Sequence, residues 1–183
     1  MSNAPTLNDV NAWVSVAQHY GLPTRLLDWT ESFLIALFFA VLPSDADADG
    51  AVWLLNASQL NSTFDPHERH GVFGENDEAV FLPLSKLLYP EATPAHKALD
   101  YLAYKPRYSD ARMAAQLACF TLHTSREPLD LHASSQNWLR VVRVPNARKP
   151  QILASLTTLG VSESTIFPDL MGLARELVRR QSV

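Results

Sequence analysis

The stretch Phe33-Leu34-Ile35-Ala36-Leu37-Phe38-Phe39-Ala40-Val41 is apolar at every position. The acidic and hydroxyl groups just before it mark a helix start. Within Asp28-Trp29-Thr30-Glu31, Asp28 followed three residues later by Glu31 resembles a capping box with Asp as the cap, and Thr30 is a rival cap. A helix to about Val41 with no polar face must be covered on several sides, which puts it at the centre of a core. The apolar run, Phe33 to Leu42, is about half of the ~20 residues that cross a membrane, so it belongs inside protein.

Upstream, Val10, Val14 and Ala17 fall on one face with Trp13 beside them, predicting a helix from about Leu7 to His19 that Gly21 and Pro23 stop. A short extended piece, Arg25 to Leu27, leads into the cap. Met1-Ser2-Asn3-Ala4 reads as an extension or expression remnant. Downstream, the turn-rich acidic loop Pro43 to Gly50 precedes a strand, Ala51 to Asn56. Ser62 to Asp77 reads as a polar loop, Ala79 to Leu82 as a short buried strand, and Lys105-Pro106 as the end of another element. Asp110 caps a helix to about Leu117, which runs into a strand, Cys119 to His123. A strand from Trp138 to Val144 then precedes two helices, about Lys149 to Leu159 and Pro168 to Arg180, separated by Gly160. The expected fold class is α+β: one domain, with several short strands in a mixed or antiparallel sheet packed with helices.

Composition agrees with that size. The chain has 183 residues and 20.4 kDa, with 47% hydrophobic and 19% charged residues, enough for one globular domain. A formal charge of -4 and a pI near 5.8 give no electrostatic case for nucleic acid or an anionic membrane. A single cysteine, Cys119, closes no intrachain disulfide, and no secretion signal opens the chain, so the expected location is cytoplasmic.

Three constellations fail when weighed, and no metal is expected. Asp45, Asp47, Asp49 and Gly50 reproduce half of a calcium loop, but its twelfth position is Asn56 instead of a bidentate Glu. His67 and His70, near Asp65 and Glu75, are one residue short of the zincin spacing. Cys119 and His123 are about 13 Å apart if both lie on one strand, beyond nucleophile-to-base reach. The cysteine then reads as a small core residue.

The segment Ala17 to Thr30 survives. It gathers His19, Tyr20, Thr24, Arg25, Asp28, Trp29 and Thr30 against the most apolar helix of the chain. Local roles exist for some: His19 at a helix C-terminus, Gly21 as a left-handed residue, Asp28 as a cap, Arg25 paired with Asp28. They do not account for Tyr20, Thr24 and Trp29, and groups ringed onto a rigid element suit a small-ligand pocket.

The run Ala17-Gln18-His19-Tyr20-Gly21-Leu22-Pro23-Thr24-Arg25-Leu26-Leu27-Asp28-Trp29-Thr30, continued by Ala36-Leu37-Phe38-Phe39-Ala40, resembles the central motif of the FRG domain, a bacterial and phage-associated family. Arg112 to Thr121 resembles the family's Arg and Gln followed by an aromatic-Thr strand, with Ala118 where a glycine is expected. Ile166 to Ala174 resembles its C-terminal helix entry. The family's Phe-Arg-Gly element has no counterpart, since the sequence contains no Arg-Gly pair. The expected organisation is residues 1–12 as an extension with the helix start, and 13–183 as an FRG-like domain lacking its Phe-Arg-Gly portion. The family's order of motifs is similar to that of NAD-consuming ADP-ribosyltransferases. The resemblance thus implies a toxin or phage-defence effector, inactive if the missing element is essential, with NAD as substrate. Thr30 and Gln116 would be catalytic, with Gln116 orienting a hydroxyl, because an amide is no general base. Trp29, Thr30 and Tyr20 would hold the nicotinamide side, Arg25 or Arg112 a phosphate, and His19, Thr24 and Asp28 would complete the pocket. The alternative is a non-catalytic module that binds a nucleotide or a protein. A missing front would also leave a sheet edge or apolar face uncovered, favouring a homodimer.

Overall fold

The fold is α+β, as the patterning predicts. The computed structural model describes residues 10–19, 21–42, 48–64, 71–74, 77, 80 and 100–181. They divide into two compact units, one of residues up to Asp28, Asn56–Arg107 and Cys119–Trp138, the other of Trp29–Leu55, Tyr108–Ala118 and Leu139 onward.

The first unit carries α1 (Val10–His19) and the strands β1 (Leu26–Thr30), β3 (Phe73–Gly74), β4 (Tyr101–Lys105) and β5 (Ala118–His123), in the sheet order β1-β5-β4-β3. The last residues of β1 and the first of β5 are counted with the second unit. β4 is antiparallel to β5, with Tyr101 opposite His123 and Ala103 opposite Thr121, and parallel to β3. The helix α3 (Ala57–Phe64) packs on β4. The expectation of a polar loop beginning at Ser62 is therefore corrected. Asn56 caps this helix, its Oδ1 accepting from Gln59 N at 3.0 Å. The helix turns Asn61 inward, where it is fully buried. Its amide grips Ala103 twice, Oδ1 accepting from the main-chain N–H at 2.7 Å and Nδ2 donating to the carbonyl at 2.9 Å, and Nδ2 also reaches Gly71 O at 2.8 Å. Polarity at that position hid the helix, although its function is to close hydrogen bonds inside the core.

Around this clamp lies an aromatic cluster. Phe64, Tyr101, His132 and Trp138, the last closing α5 (Ser135–Trp138), meet mostly edge to face, with ring centroids 5.1 to 6.5 Å apart. The strand expected from Trp138 begins one residue later, since Trp138 ends that helical turn. Of the strand expected over Ala79 to Leu82, only Val80 is described; it is helical and fully buried.

In the second unit, β2 (Gly50–Leu55) and β6 (Leu139–Val144) pair antiparallel from Gly50 opposite Val144 to Leu55 opposite Leu139. Helices α2 (Phe33–Val41) and α6 (Lys149–Thr158) pack with this ribbon around Ile35, Phe38, Val41, Val52, Val144, Leu156 and Ile166. The cap of α2 is neither Asp28 nor Thr30. Residues 26–30 are spent on strand β1, and Ser32 Oγ accepts from Ile35 N at 3.4 Å instead. Nor is α2 covered on all sides. Ile35, Phe38 and Val41 form one buried stripe, while Phe33, Leu34 and Phe39 are exposed.

Asp110 caps α4 (Ala111–Ala115) as expected, its Oδ1 accepting from Met113 N at 2.8 Å. Two helices follow α6: the single turn α7 (Glu163–Ile166), missed in the sequence because four residues carry no period, and α8 (Leu170–Gln181). The polarity of α8 is inverted. Gly172 is buried against the Phe167 turn, Arg175 pairs with buried Glu163 at 2.7 Å, and Glu176 accepts from Ser162 Oγ and Ser164 N at 2.9 Å. Leu170, Met171, Leu173, Leu177 and Val178 are exposed.

Two substitutions test these supports by urea unfolding. Asn61→Ala strands the N–H and C=O of Ala103 and should lower stability by about 2–4 kcal/mol. Gly50→Ala drives a methyl group into the Ala40 carbonyl oxygen and should destabilise by about 1–3 kcal/mol. A wild-type midpoint in either variant contradicts the assigned role.

Candidate functional site

The Ala17–Thr30 segment begins at a helix end. Leu22 N donates to Ala17 O at 2.9 Å and Gly21 N to Gln18 O at 3.0 Å, with Gly21 at φ 74°, the paired bonds of a Schellman turn. The expected left-handed role of Gly21 holds. Past the turn, Gln18 organises the chain. Its Oε1 accepts a short hydrogen bond from the Thr24 hydroxyl, and its Nε2 donates to Asp28 Oδ1 at 3.1 Å. Thr24 Oγ1 also accepts from Leu26 N at 3.1 Å. Asp28 is thus held by an amide. No Arg25–Asp28 ion pair forms among the described residues, because positions three apart on extended chain face opposite ways.

Arg25 instead joins a cleft of about 450 Å³ within the first unit. One wall is Thr24, Arg25, Leu26 and Leu27; the other is His123 and the loop Ser125-Arg126-Glu127-Pro128. The walls are tied by the main chain, His123 N donating to Arg25 O at 2.9 Å. Thr124 N and Ser125 N both donate to Asp100 O, at 3.1 and 3.2 Å. Tyr101 Oη donates to Glu127 O at 2.7 Å, and Glu127 N to Ser125 Oγ at 3.1 Å. These bonds hold the loop in one shape while its side chains line the cleft.

The chemistry on offer is mixed. Two guanidinium groups suit an anion, the Glu127 carboxylate and the Ser125 hydroxyl suit hydroxyl partners, and Leu26, Leu27 and Pro128 supply apolar surface. His123 lies in the second wall, its Nε2 2.8 Å from Thr121 Oγ1 and its ring edge-on to Tyr101 at 5.2 Å. Burial, then the positive charge of Arg25, holds its pKa below the ordinary 6.5. Burial pushes the Tyr101 phenol up from 10.0, with smaller raising contributions from Glu127 and Asp100 against a lowering hydrogen bond from Ser125.

The other expected site residues fall elsewhere. Trp29, Thr30, Arg112 and Gln116 belong to the second unit. Thr30 and Gln116 do meet there, but through the main chain: Thr30 Oγ1 donates to Gln116 O at 2.7 Å and accepts from Ser32 N at 3.1 Å. Gln116 Nε2 points to Ile166 O at 3.4 Å. These bonds fasten the end of β1 to the turn after α4, where Leu117 takes a positive φ of 47°. The Arg112 guanidinium lies over the Phe167 ring at 5.0 Å, and Arg175 lies at the same distance from it. His19 ends α1, and its side chain lies outside the described residues, as does Tyr20. The zinc candidates His67 and His70 with Asp65 and Glu75, and Asp45 and Asp47 of the calcium candidate, also lie outside them. Asp49 accepts from Asn146 N at 2.9 Å. No group of three metal-binding side chains occurs among the described residues. No helix of the described residues is long and apolar enough to cross a membrane.

Sequence reasoning missed His123, Ser125, Arg126 and Glu127. His123 was weighed only against Cys119, which is half-buried four positions away on β5. The available signal was the alternation that puts Thr121 and His123 on one face of a strand ending in a polar loop.

The FRG domain model matches residues 2–49, in agreement with the resemblance carried by Ala17–Thr30 and Ala36–Ala40. The stretches around Arg112–Thr121 and Ile166–Ala174 lie beyond that match. No curated protein and no solved structure matches the chain.

The depressed pKa of His123 has a consequence for stability. The unfolded chain binds this proton first, near pH 6.5, so the stabilisation is whole above that pH. It is lost as pH falls toward the lower folded-state value. His123→Gln should flatten that part of a stability profile measured by urea midpoints from about pH 8 to 5. An unchanged slope in the variant would show that another group titrates.

Proposed function

We propose that the protein binds a nucleotide of the NAD and ADP-ribose class in the cleft between Thr24–Leu27 and His123–Pro128, with Arg25 and Arg126 holding the phosphates. The observation that carries the reading is the position of Arg25. A residue of the FRG-matching segment lines a cleft whose opposite wall offers a second guanidinium and a carboxylate. Two cations favour a phosphorylated ligand, and the carboxylate favours one that also carries sugar hydroxyls. The volume falls within the ~300–1,000 Å³ of typical small-molecule pockets. The main-chain bonds to Asp100 O and the bond from Tyr101 Oη to Glu127 O support the reading, because a fixed wall costs less to order on binding.

Binding without turnover is favoured over ADP-ribosyl transfer by the state of Thr30. Its hydroxyl is committed to Gln116 O and Ser32 N, and the Gln116 amide to Ile166 O, so neither is poised over a ligand. The second reading, an NAD-consuming transferase acting in a toxin or phage-defence role, rests on the order of motifs alone.

A thermal-shift titration with NAD and ADP-ribose, followed by incubation with nicotinamide-labelled NAD, separates the two. We expect a saturable upward shift, weakened about tenfold or more by Arg25→Ala and unaffected by Thr30→Ser, with no nicotinamide released. Release of nicotinamide that Thr30→Ala abolishes would favour the transferase. No shift with either ligand would overturn the nucleotide reading.

A further inference from the structure

Among the described residues that line the cleft, His123 is the one imidazole, and the fold holds it firmly. It ends β5 two residues after Thr121, on the same strand face. Thr121 is fully buried, and its hydroxyl holds His123 Nε2 at 2.8 Å. Tyr101, directly opposite on β4, packs edge to face against the ring. The His123 main-chain N–H is bound to Arg25 O, which fixes the two residues side by side. Among the described residues, of the two ring nitrogens only Nε2 has a hydrogen-bond partner, which leaves Nδ1 to a ligand.

We infer that His123 is a ligand-binding residue that takes up a proton as a pyrophosphate enters, and then donates Nδ1–H to a phosphate oxygen beside Arg25. The inference rests on the nucleotide-binding reading of the cleft. It adds a second donor to the phosphate site and couples occupancy to pH.

The charges that face the ring set the sign. Arg25, on the segment before β1, disfavours a second positive charge, and burial acts the same way, so the imidazole is neutral in the empty cleft near pH 7. From β4 comes the Tyr101 phenol, with His132 beyond it, and just before β4 stands Asp100, whose carbonyl accepts from Thr124 N. From the loop after β5 come Arg126 and Glu127. All of these are present with or without ligand. The pyrophosphate is what changes: its two negative charges offset Arg25 and offer an acceptor at hydrogen-bond distance, and both effects favour the imidazolium. The proton comes from solvent, and no other bond is made or broken. Linkage then requires ligand affinity to rise as pH falls.

ADP-ribose is the suitable probe, because its pyrophosphate diester stays doubly ionised between about pH 5.5 and 8.5 and contributes no titration of its own. Calorimetry on the full chain, in buffers of different ionisation enthalpy, should count up to one proton taken up per ligand. Kd should rise by as much as about tenfold per pH unit across that window. His123→Gln should bind several-fold more weakly at the acid end, with Kd independent of pH. In the wild type, NMR titration of the imidazole should move to higher pH when ADP-ribose saturates the protein. That measurement stands even if the variant fails to fold. Binding that is pH-independent, or an imidazole titration that ignores the ligand, overturns the proton coupling and leaves nucleotide binding intact. Absence of ADP-ribose binding at every pH overturns both.

Discussion

One main-chain hydrogen bond, from His123 N–H to the Arg25 carbonyl, sets the FRG-matching segment against the opposite wall of the cleft. It joins a segment near the front of the chain to the far end of a strand formed much later. A main-chain tie fixes position without consuming a functional group, so the Arg25 guanidinium and the His123 ring remain available to the cleft. The Gln18 amide completes the arrangement from the other side, holding Thr24 and Asp28 in place. The polar residues of this segment therefore fall into a scaffold, Gln18 and Asp28, and a lining, Thr24 and Arg25.

The segment also serves two units with different ends. Up to Asp28 it belongs to the sheet that carries the cleft; from Trp29 onward it belongs to the unit built on α2. Thr30 shows how a residue at such a crossing is used. Its hydroxyl accepts one main-chain bond and donates another, which fastens the chain where strand becomes helix. Residue type suggests chemistry at that position, and the geometry adds a structural task for the same hydroxyl.

What the sequence made legible were elements with a period or a strong boundary. The strands around Val52, Phe120 and Val142, the cap at Asp110 and the glycine stop at Gly160 all stand within a residue or two of expectation. What it concealed depended on partners distant in the chain. Asn61 reads as loop until Ala103 is seen beside it, and only then does a buried amide in a helix make sense. The polar run over residues 28–31 reads as a helix cap, because a propensity rule carries no information about the competing pull of β5 on β1. Arg25 is legible by type as a candidate for an anion. Its cleft partners Ser125, Arg126 and Glu127 are not, since nothing local distinguishes them from any exposed loop.

The inverted polarity of α8 carries a consequence of its own. A helix held by burial of its greasy stripe is tightened by kosmotropic salts, whereas here Arg175, Glu176 and the small Gly172 face inward toward α7. The Arg175–Glu163 pair has one half-exposed partner and is screened instead, so raised ionic strength should loosen the contact of this helix with α7. The α8 helix is thus moored by charge while its oily flank faces water.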